Sequence, residues 1–305
     1  MTVTVELAAL GQGRQDPRQD VVLPAEPLGP GSILWYAAGD LRIFLVAVRA
    51  LMFQVAHPMV GAGVGEHSVY KTDPYGRLWR TSQSVTRQVY GGVASAEEGQ
   101  RLVRMHAGIK GTDDQGRRYH ALNPEAYLWV HATMYETYLL FLRDFGPGLT
   151  TAQEQQLFEE WQRMGLLIGV KESVLPRTQD EFWTMWARVE DTLENNHVVQ
   201  DLLHTAPRKP PFTPLPQTFF DWLARPLLRR QREVIAVTVS PELRGRFGLP
   251  TPTKRTERRV RAMMRRSRLV GNHLPDVVRL AVLAQLTMRK TRTDPRTRPA
   301  AVPYP

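Results

Sequence analysis

The sequence contains no cysteine in 305 residues. That absence excludes disulfides, thiolate-ligated metals, iron–sulfur clusters and cysteine nucleophiles together, and leaves the compartment open. Long apolar runs are also missing. The longest, IFLVAVRALMF from Ile43 to Phe53, is too short to cross a bilayer and carries Arg49. The N-terminus, MTVTVELAALGQGRQDPRQD, lacks a basic region followed by an apolar one, so no signal peptide is expected. These absences predict a soluble, cytoplasmic protein whose membrane contact is at most peripheral. No strand ladder or internal repeat is visible. The chain has no GxSxG, no P-loop and no GxGxxG behind a strand, and HxxxH and HExxH spacings are absent, which speaks against a zinc hydrolase.

Charge is present in excess and unevenly placed. Residues 1–200 carry 18 Lys and Arg against 23 Asp and Glu, and residues 201–305 carry 22 against 7. Lys254–Arg268, KRTERRVRAMMRRSR, has eight basic residues in fifteen, with Val260, Met263 and Met264 as an apolar strip. Docking of this run on the more acidic N-terminal two-thirds would explain it. A non-catalytic helical protein using the basic third to bind nucleic acid or an anionic membrane is the other reading. No nucleic-acid-binding signature is present, so no specific nucleic acid is expected, and peripheral membrane contact through the basic C-terminal helices is the remaining partner of that kind.

The periodicity is helical almost throughout, and predicts an all-α class. Residues 1–30 read as a flexible arm, 31–290 as a single helical domain and 291–305 as a disordered tail. Helices are expected at about 39–56, broken by His57-Pro58; at 73–90, with Asp73 as N-cap and Pro74 behind it; and at 95–110, with Ser95 and Glu98 as a capping box. Others are expected at 123–145, 151–168, 179–194, 217–237, 241–247, 253–270 and 275–289. MVGAGVGEHS between the first two reads as a flexible small-residue stretch, and 206–216 as a loop.

Three groups of residues could carry chemistry. His106 shares an apolar stripe with Gly99, Leu102, Val103 and Ile109. One imidazole facing an apolar pocket suits the proximal side of a haem iron, and it equally suits a core histidine bonded to a carbonyl. His131, on a face with Tyr127, Leu128, Met134, Tyr135 and Tyr138, carries the same two readings, core packing or a supporting role near a cofactor. Arg77, Arg80, Thr81 and Ser84 recur at i, i+3, i+4 and i+7 and put two guanidinium groups and two hydroxyls on one helix face. Exposed, they form an ordinary solvated face; buried, the arginines need carboxylates from the protein or from a cofactor.

In their order and spacing these blocks resemble a known family. QVAHPMVGAGVGEHSVYKTDPYGRLWRT (Gln54–Thr81), RLVRMHAGIKG (Arg101–Gly111) and YHALNPEAYLWVHAT (Tyr119–Thr133), followed more weakly by SPELRGRFGLP (Ser240–Pro250), are similar to the bacterial latex clearing proteins (rubber oxygenases) and the fungal mycophenolic-acid pathway oxygenase. The resemblance covers roughly residues 31–285. It implies a globin-like core holding one haem b, O2 as co-substrate, and oxygenation or cleavage of C=C bonds in an apolar, isoprenoid-like substrate. It places the proximal metal ligand on His106 and the polar motif beside the haem on Arg77, Arg80 and Thr81, with Glu66 nearest to the catalytic glutamate suggested in the rubber enzymes. Here the sequence departs from the family: Arg80 stands where rubber oxygenases have a lysine able to cap the iron, and a guanidinium that keeps its proton is a poor ligand.

Overall fold

Local signals start and stop most of the helices in the computed structural model, which describes residues 25–205 and 216–292. Among these residues are fourteen α-helices and one short hairpin. The chain opens with α1 (Ile33–Ala37), α2 (Phe44–Ala56), α3 (Pro58–His67), α4 (Pro74–Tyr90) and α5 (Ala94–His106). The antiparallel strands β1 (Lys110–Thr112) and β2 (Arg118–His120) follow, with Gly111 opposite Tyr119. Then come α6 (Pro124–Leu140), α7 (Thr151–Leu167), α8 (Gln179–Asp191) and α9 (His197–His204). The C-terminal third holds α10 (Gln217–Thr238), α11 (Pro241–Arg246), α12 (Lys254–Arg266), α13 (Asp276–Arg279) and α14 (Val282–Arg292). The all-α expectation holds, with the hairpin as an addition.

Aromatic side chains from α6, α7 and α8 fill the centre. Trp129, Tyr135, Trp161 and Phe182 are fully buried. The Tyr135 and Phe182 rings lie 4.8 Å apart edge to face, an arrangement the ring quadrupoles favour. Buried polar groups in this core have specific partners. The Trp129 indole donates to the Phe53 carbonyl at 2.8 Å, tying α6 to α2. Glu160 accepts from the backbone N–H of Ile33 and Leu34 at 3.0 and 2.9 Å, capping α1 from another helix. Arg49 pairs with Glu136. Asp40, also buried, accepts from Arg42 at 2.7 Å and from Arg279 at 3.5 Å, which fastens the start of the bundle to its end.

Several expectations need correction. MVGAGVGEHS is helix, not a flexible stretch. Pro58 occupies the first turn of α3, where its missing N–H costs nothing. A Cβ on Gly61 would strike the Asn196 amide, and one on Gly65 would meet His197 at 2.8 Å, so the glycines admit α9 at close range. The Ser95–Glu98 capping box does not form: α5 starts a residue earlier, behind Val93, with no side-chain cap. The helix expected at 275–289 breaks at Leu280, which forms an isolated bridge with Asp40. Residues 25–30 are not a free arm, because Leu28 is buried in the core. The rest of the expected arm, the expected tail beyond 292 and most of the 206–216 loop lie outside the described residues.

No single helix among the described residues is long and apolar enough to cross a membrane. The pair α2 and α3, bent by 100°, would pass on length and composition, but Val46, Met52 and Phe53 of α2 are buried in the core. The basic run 254–268 docks on the N-terminal part through Val260, buried in the core, and through Ser267, which donates to the Phe145 carbonyl at 2.8 Å. Its ion pairs go to Glu233 of α10 and to its own Glu257.

Candidate active site

Helices α4 and α5 pack together across the turn at Gly91 and Gly92, and Ser84 of the α4 stripe lies in the seam between them. At the closed end the stripe is satisfied. Ser84 Oγ donates to the Glu98 carboxylate at 2.6 Å, and Gln88 donates to Ser84 Oγ at 3.1 Å. Arg101 holds the same carboxylate through two bonds of 2.6 and 2.9 Å. Ser95, spared from capping its own helix, donates instead to the Arg87 carbonyl at 3.2 Å. These pairings fix the register of the two helices at their closed end.

At the other end of the stripe the carboxylate is Asp73, and it serves Arg80 rather than Arg77. The Arg77 guanidinium is half-buried and forms no ion pair among the described residues. Burial, with the like charge of Arg80 adding to it, lowers its pKa. Arg80 is more exposed and turns back to Asp73, donating to Oδ2 at 3.2 Å, while Asp73 also caps α4 by accepting from Gly76 N at 2.9 Å. Thr81 is exposed. Apolar side chains surround this end: Leu78 and Trp79 of α4 and Met105 of α5 are about half exposed.

His106 closes the last turn of α5. Its Nδ1–H donates to the Leu102 carbonyl at 2.8 Å, which leaves the Nε2 lone pair free to bind. The Tyr127 ring stands edge-on, centroids 5.9 Å apart. Burial lowers the His106 pKa more than the Leu102 bond raises it, so the ring is neutral near pH 7. On the far side of α5, one turn back, Ala96, Gly99, Val103, Leu167 and Gly169 line a largely apolar cavity of about 310 Å³ whose polar members are Gln100 and Arg104. Gly99 and Val103 belong to the stripe that ends at His106, and His106 itself does not line the cavity.

The other two candidates stand apart from this seam. His131 is buried, stacked on Trp161 at 4.9 Å; its Nε2–H donates to the Trp161 carbonyl at 2.8 Å, and the Trp161 indole returns a bond to the His131 carbonyl at 3.0 Å. Burial pushes its pKa down to about 4. That Nε2 is therefore committed to the core. Glu66, at the end of α3, accepts from the Tyr119 hydroxyl, which His67 Nε2 also approaches at 3.1 Å. The structure thus places Arg77, Arg80 and Thr81 on α4 and His106 at the end of α5 against Tyr127, with His131 in the core and Glu66 beside Tyr119. Sequence reasoning missed Glu98 as the anchor of the seam. Its signal was Ser84: a hydroxyl on a charged stripe facing a helix with an acid at matching height. Among the described residues no cluster of three or more His, Asp or Glu could hold a metal ion.

Comparison with known proteins identifies the lineage. Two uncharacterised mycobacterial proteins, from Mycobacterium bovis and Mycobacterium tuberculosis, are each 25% identical over 166 residues, covering 52% of this chain and 64% of the relative. The chain thus matches somewhat less than two-thirds of those relatives' length. No solved structure matches significantly. The family described as ER-bound oxygenase mpaB/B′/rubber oxygenase, catalytic domain, matches residues 35–269, which contain the α4–α5 hairpin. On this match over most of its length, the chain belongs to the mpaB and rubber oxygenase catalytic-domain family.

Proposed function

We propose that this chain is a haem b-dependent oxygenase acting on an apolar, unsaturated, isoprenoid-like substrate. The observation that carries the reading is His106: a neutral imidazole with Nδ1 occupied by a backbone carbonyl and Nε2 unused, on a helix face whose preceding turns line an apolar cavity. This donor set fits haem b, which asks for one neutral nitrogen on its proximal side and a cation for its carboxylates. Arg77 would supply the cation, because it is half-buried and forms no ion pair among the described residues. When bound, the haem would supply the O2 chemistry.

The chain's own residues bind, orient and exclude water. Leu102 fixes the His106 tautomer and ring angle. Arg77 holds negative charge at the edge of the site, and Thr81, on the same stripe, offers a neutral donor to a substrate oxygen. Leu78, Trp79, Met105 and the cavity beside Val103 give an apolar substrate surface on which to displace water. Membership of a catalytic-domain family weighs against the non-catalytic binding alternative.

Titration of the purified chain with hemin tests this. A stoichiometric Soret band is expected for the wild type. His106→Ala should lose it while keeping its helical circular dichroism. A chain that takes up no hemin, or a His106→Ala variant that takes it up normally, overturns the reading. O2 uptake with isoprenoid alkenes then addresses the substrate class.

A further inference from the structure

The N-terminal half of α10 stands away from the body of the molecule. Its residues that pack into the core begin only at Val234, Ile235 and Ala236. Before them, Phe219, Trp222, Leu223 and Leu227 recur at i, i+3, i+4 and i+8 and form one continuous apolar stripe. Trp222 is 60% exposed and Leu227 59%, and the Phe219 and Trp222 rings lie 5.6 Å apart. Arg225 and Arg229 flank the stripe. A soluble helix normally turns such a stripe inward. This one turns it out.

Helix α12 lies alongside: Arg259 donates to Glu233 of α10 at 2.7 Å. Glu233 is six residues past Leu227, about 9 Å along the helix. On α12, Lys254, Arg255, Arg258, Arg265 and Arg266 are exposed and form no ion pair among the described residues. The near end of the exposed aromatic and leucine stripe therefore lies roughly 9 Å along α10 from the residue that α12 binds, and α12 carries a cluster of unpaired cations.

We propose that α10 and α12 form a docking surface for an anionic phospholipid membrane. The Trp222–Leu227 stripe enters the boundary between headgroups and acyl chains, and the arginines bind lipid phosphates, to which the guanidinium fork is matched. The two observations select this occupant. A nucleic acid would neutralise the arginines but leave the apolar stripe wet. A second copy of the chain would cover the stripe but bring two clusters of like charge together. A bilayer surface rich in acidic lipid answers both. The proposal does not depend on haem binding. It does place an enzyme for an apolar substrate where such a substrate partitions.

The test uses the full chain and sedimentation with vesicles of pure phosphatidylcholine or of phosphatidylcholine with phosphatidylglycerol. Binding is expected only with phosphatidylglycerol present, and should weaken steeply as salt rises. Trp222→Glu with Leu227→Glu, and separately Arg255→Glu with Arg258→Glu, should each reduce the partition coefficient at least about tenfold, since one surface charge contributes about 1 kcal/mol. All four positions are exposed, so the melting curves should match the wild type. Should a variant fail to fold, lipid and salt dependence of the wild type still decide. Absence of sedimentation, equal binding to pure phosphatidylcholine, or wild-type binding by both variants overturns the proposal. So does a dimer in sedimentation velocity that Leu227→Glu dissociates, which would make the stripe a self-interface.

Discussion

Ser84 donates its hydroxyl hydrogen to Glu98 at 2.6 Å across the seam of the α4–α5 hairpin, and the carboxylate that receives it is only 1% exposed. Burial pushes the Glu98 carboxyl up, but the bonds from Arg101 and Ser84, with the charges of Arg101 and Arg87, outweigh it and hold the pKa below the ordinary value. A depressed carboxyl stabilises the fold above its unfolded pKa and loses that contribution as pH falls through the folded one. Glu98→Gln should therefore cost about 1–3 kcal/mol at pH 7. The wild-type and variant melting temperatures should converge only as pH falls through the depressed folded-state pKa, where both side chains become neutral. A gap that stays constant until the wild type itself unfolds in acid would show that Glu98 acts by shape alone.

Arg77 presents the opposite case, a half-buried charge without an ion-pair partner among the described residues. Removing an unpaired charge from such a place relieves desolvation, so Arg77→Leu should leave the hemin-free chain as stable as the wild type or raise its melting temperature. Hemin affinity should fall by roughly 1.5–3 kcal/mol, the worth of a hydrogen bond to a charged group. Thermal melts and hemin titrations on the same preparations check both halves. A variant that is destabilised without hemin would mean that Arg77 serves the fold.

The parts of this site that were legible in the sequence are those whose causes are local. Asp73-Pro74 caps α4, Asn123-Pro124 caps α6 and Gly91-Gly92 turns the hairpin, each as its residue type dictates. What escaped was decided by contacts between distant segments. The glycines of α3 carry no helical signal of their own, and their helix stands because Asn196 and His197 pack against bare backbone. Ser95 and Glu98 have capping-box spacing, yet both face α4, so Ser95 binds the Arg87 carbonyl and Glu98 binds Ser84. Leu280 ends a helix because Asp40, far away in the chain, takes its backbone. The stripe on α4 was read correctly as a stripe. Only the structure shows that Ser84 is satisfied by Glu98 and Arg80 by Asp73, while Arg77 has no ion pair among the described residues.

His131 should behave as a core residue with an acid-sensitive signature. Its pKa falls from about 6.5 in the unfolded chain to about 4 in the fold. Between those values the unfolded chain binds a proton that the native chain refuses, so stability declines as pH drops from 6.5 and levels off near 4. The full contribution is about 3 kcal/mol. His131→Gln keeps a donor for the Trp161 carbonyl and removes the titration, so the difference between the two stability curves should carry this slope. Hemin uptake by the variant should match the wild type. A lost Soret band would move His131 into the cofactor site.

Arg80 is held by Asp73, the residue that also caps α4, at 3.2 Å. A protonated guanidinium has no lone pair to give a metal, and this one is drawn toward the N-terminus of its own helix. The resemblance to rubber oxygenases puts a lysine, a competent amine ligand, at this position. Hemin-loaded wild type should therefore bind added imidazole with simple saturation, because no side chain competes from position 80. In Arg80→Lys the new amine competes with imidazole. If the amine occupies the site about nine-tenths of the time, the apparent Kd rises about tenfold. Asp73→Ala supplies the control. It frees Arg80 and removes the cap, so it should cost about 0.5–2 kcal/mol of stability while leaving imidazole affinity unchanged. An absorption titration with imidazole distinguishes these outcomes, and equal affinity in wild type and Arg80→Lys would show that position 80 does not reach the iron.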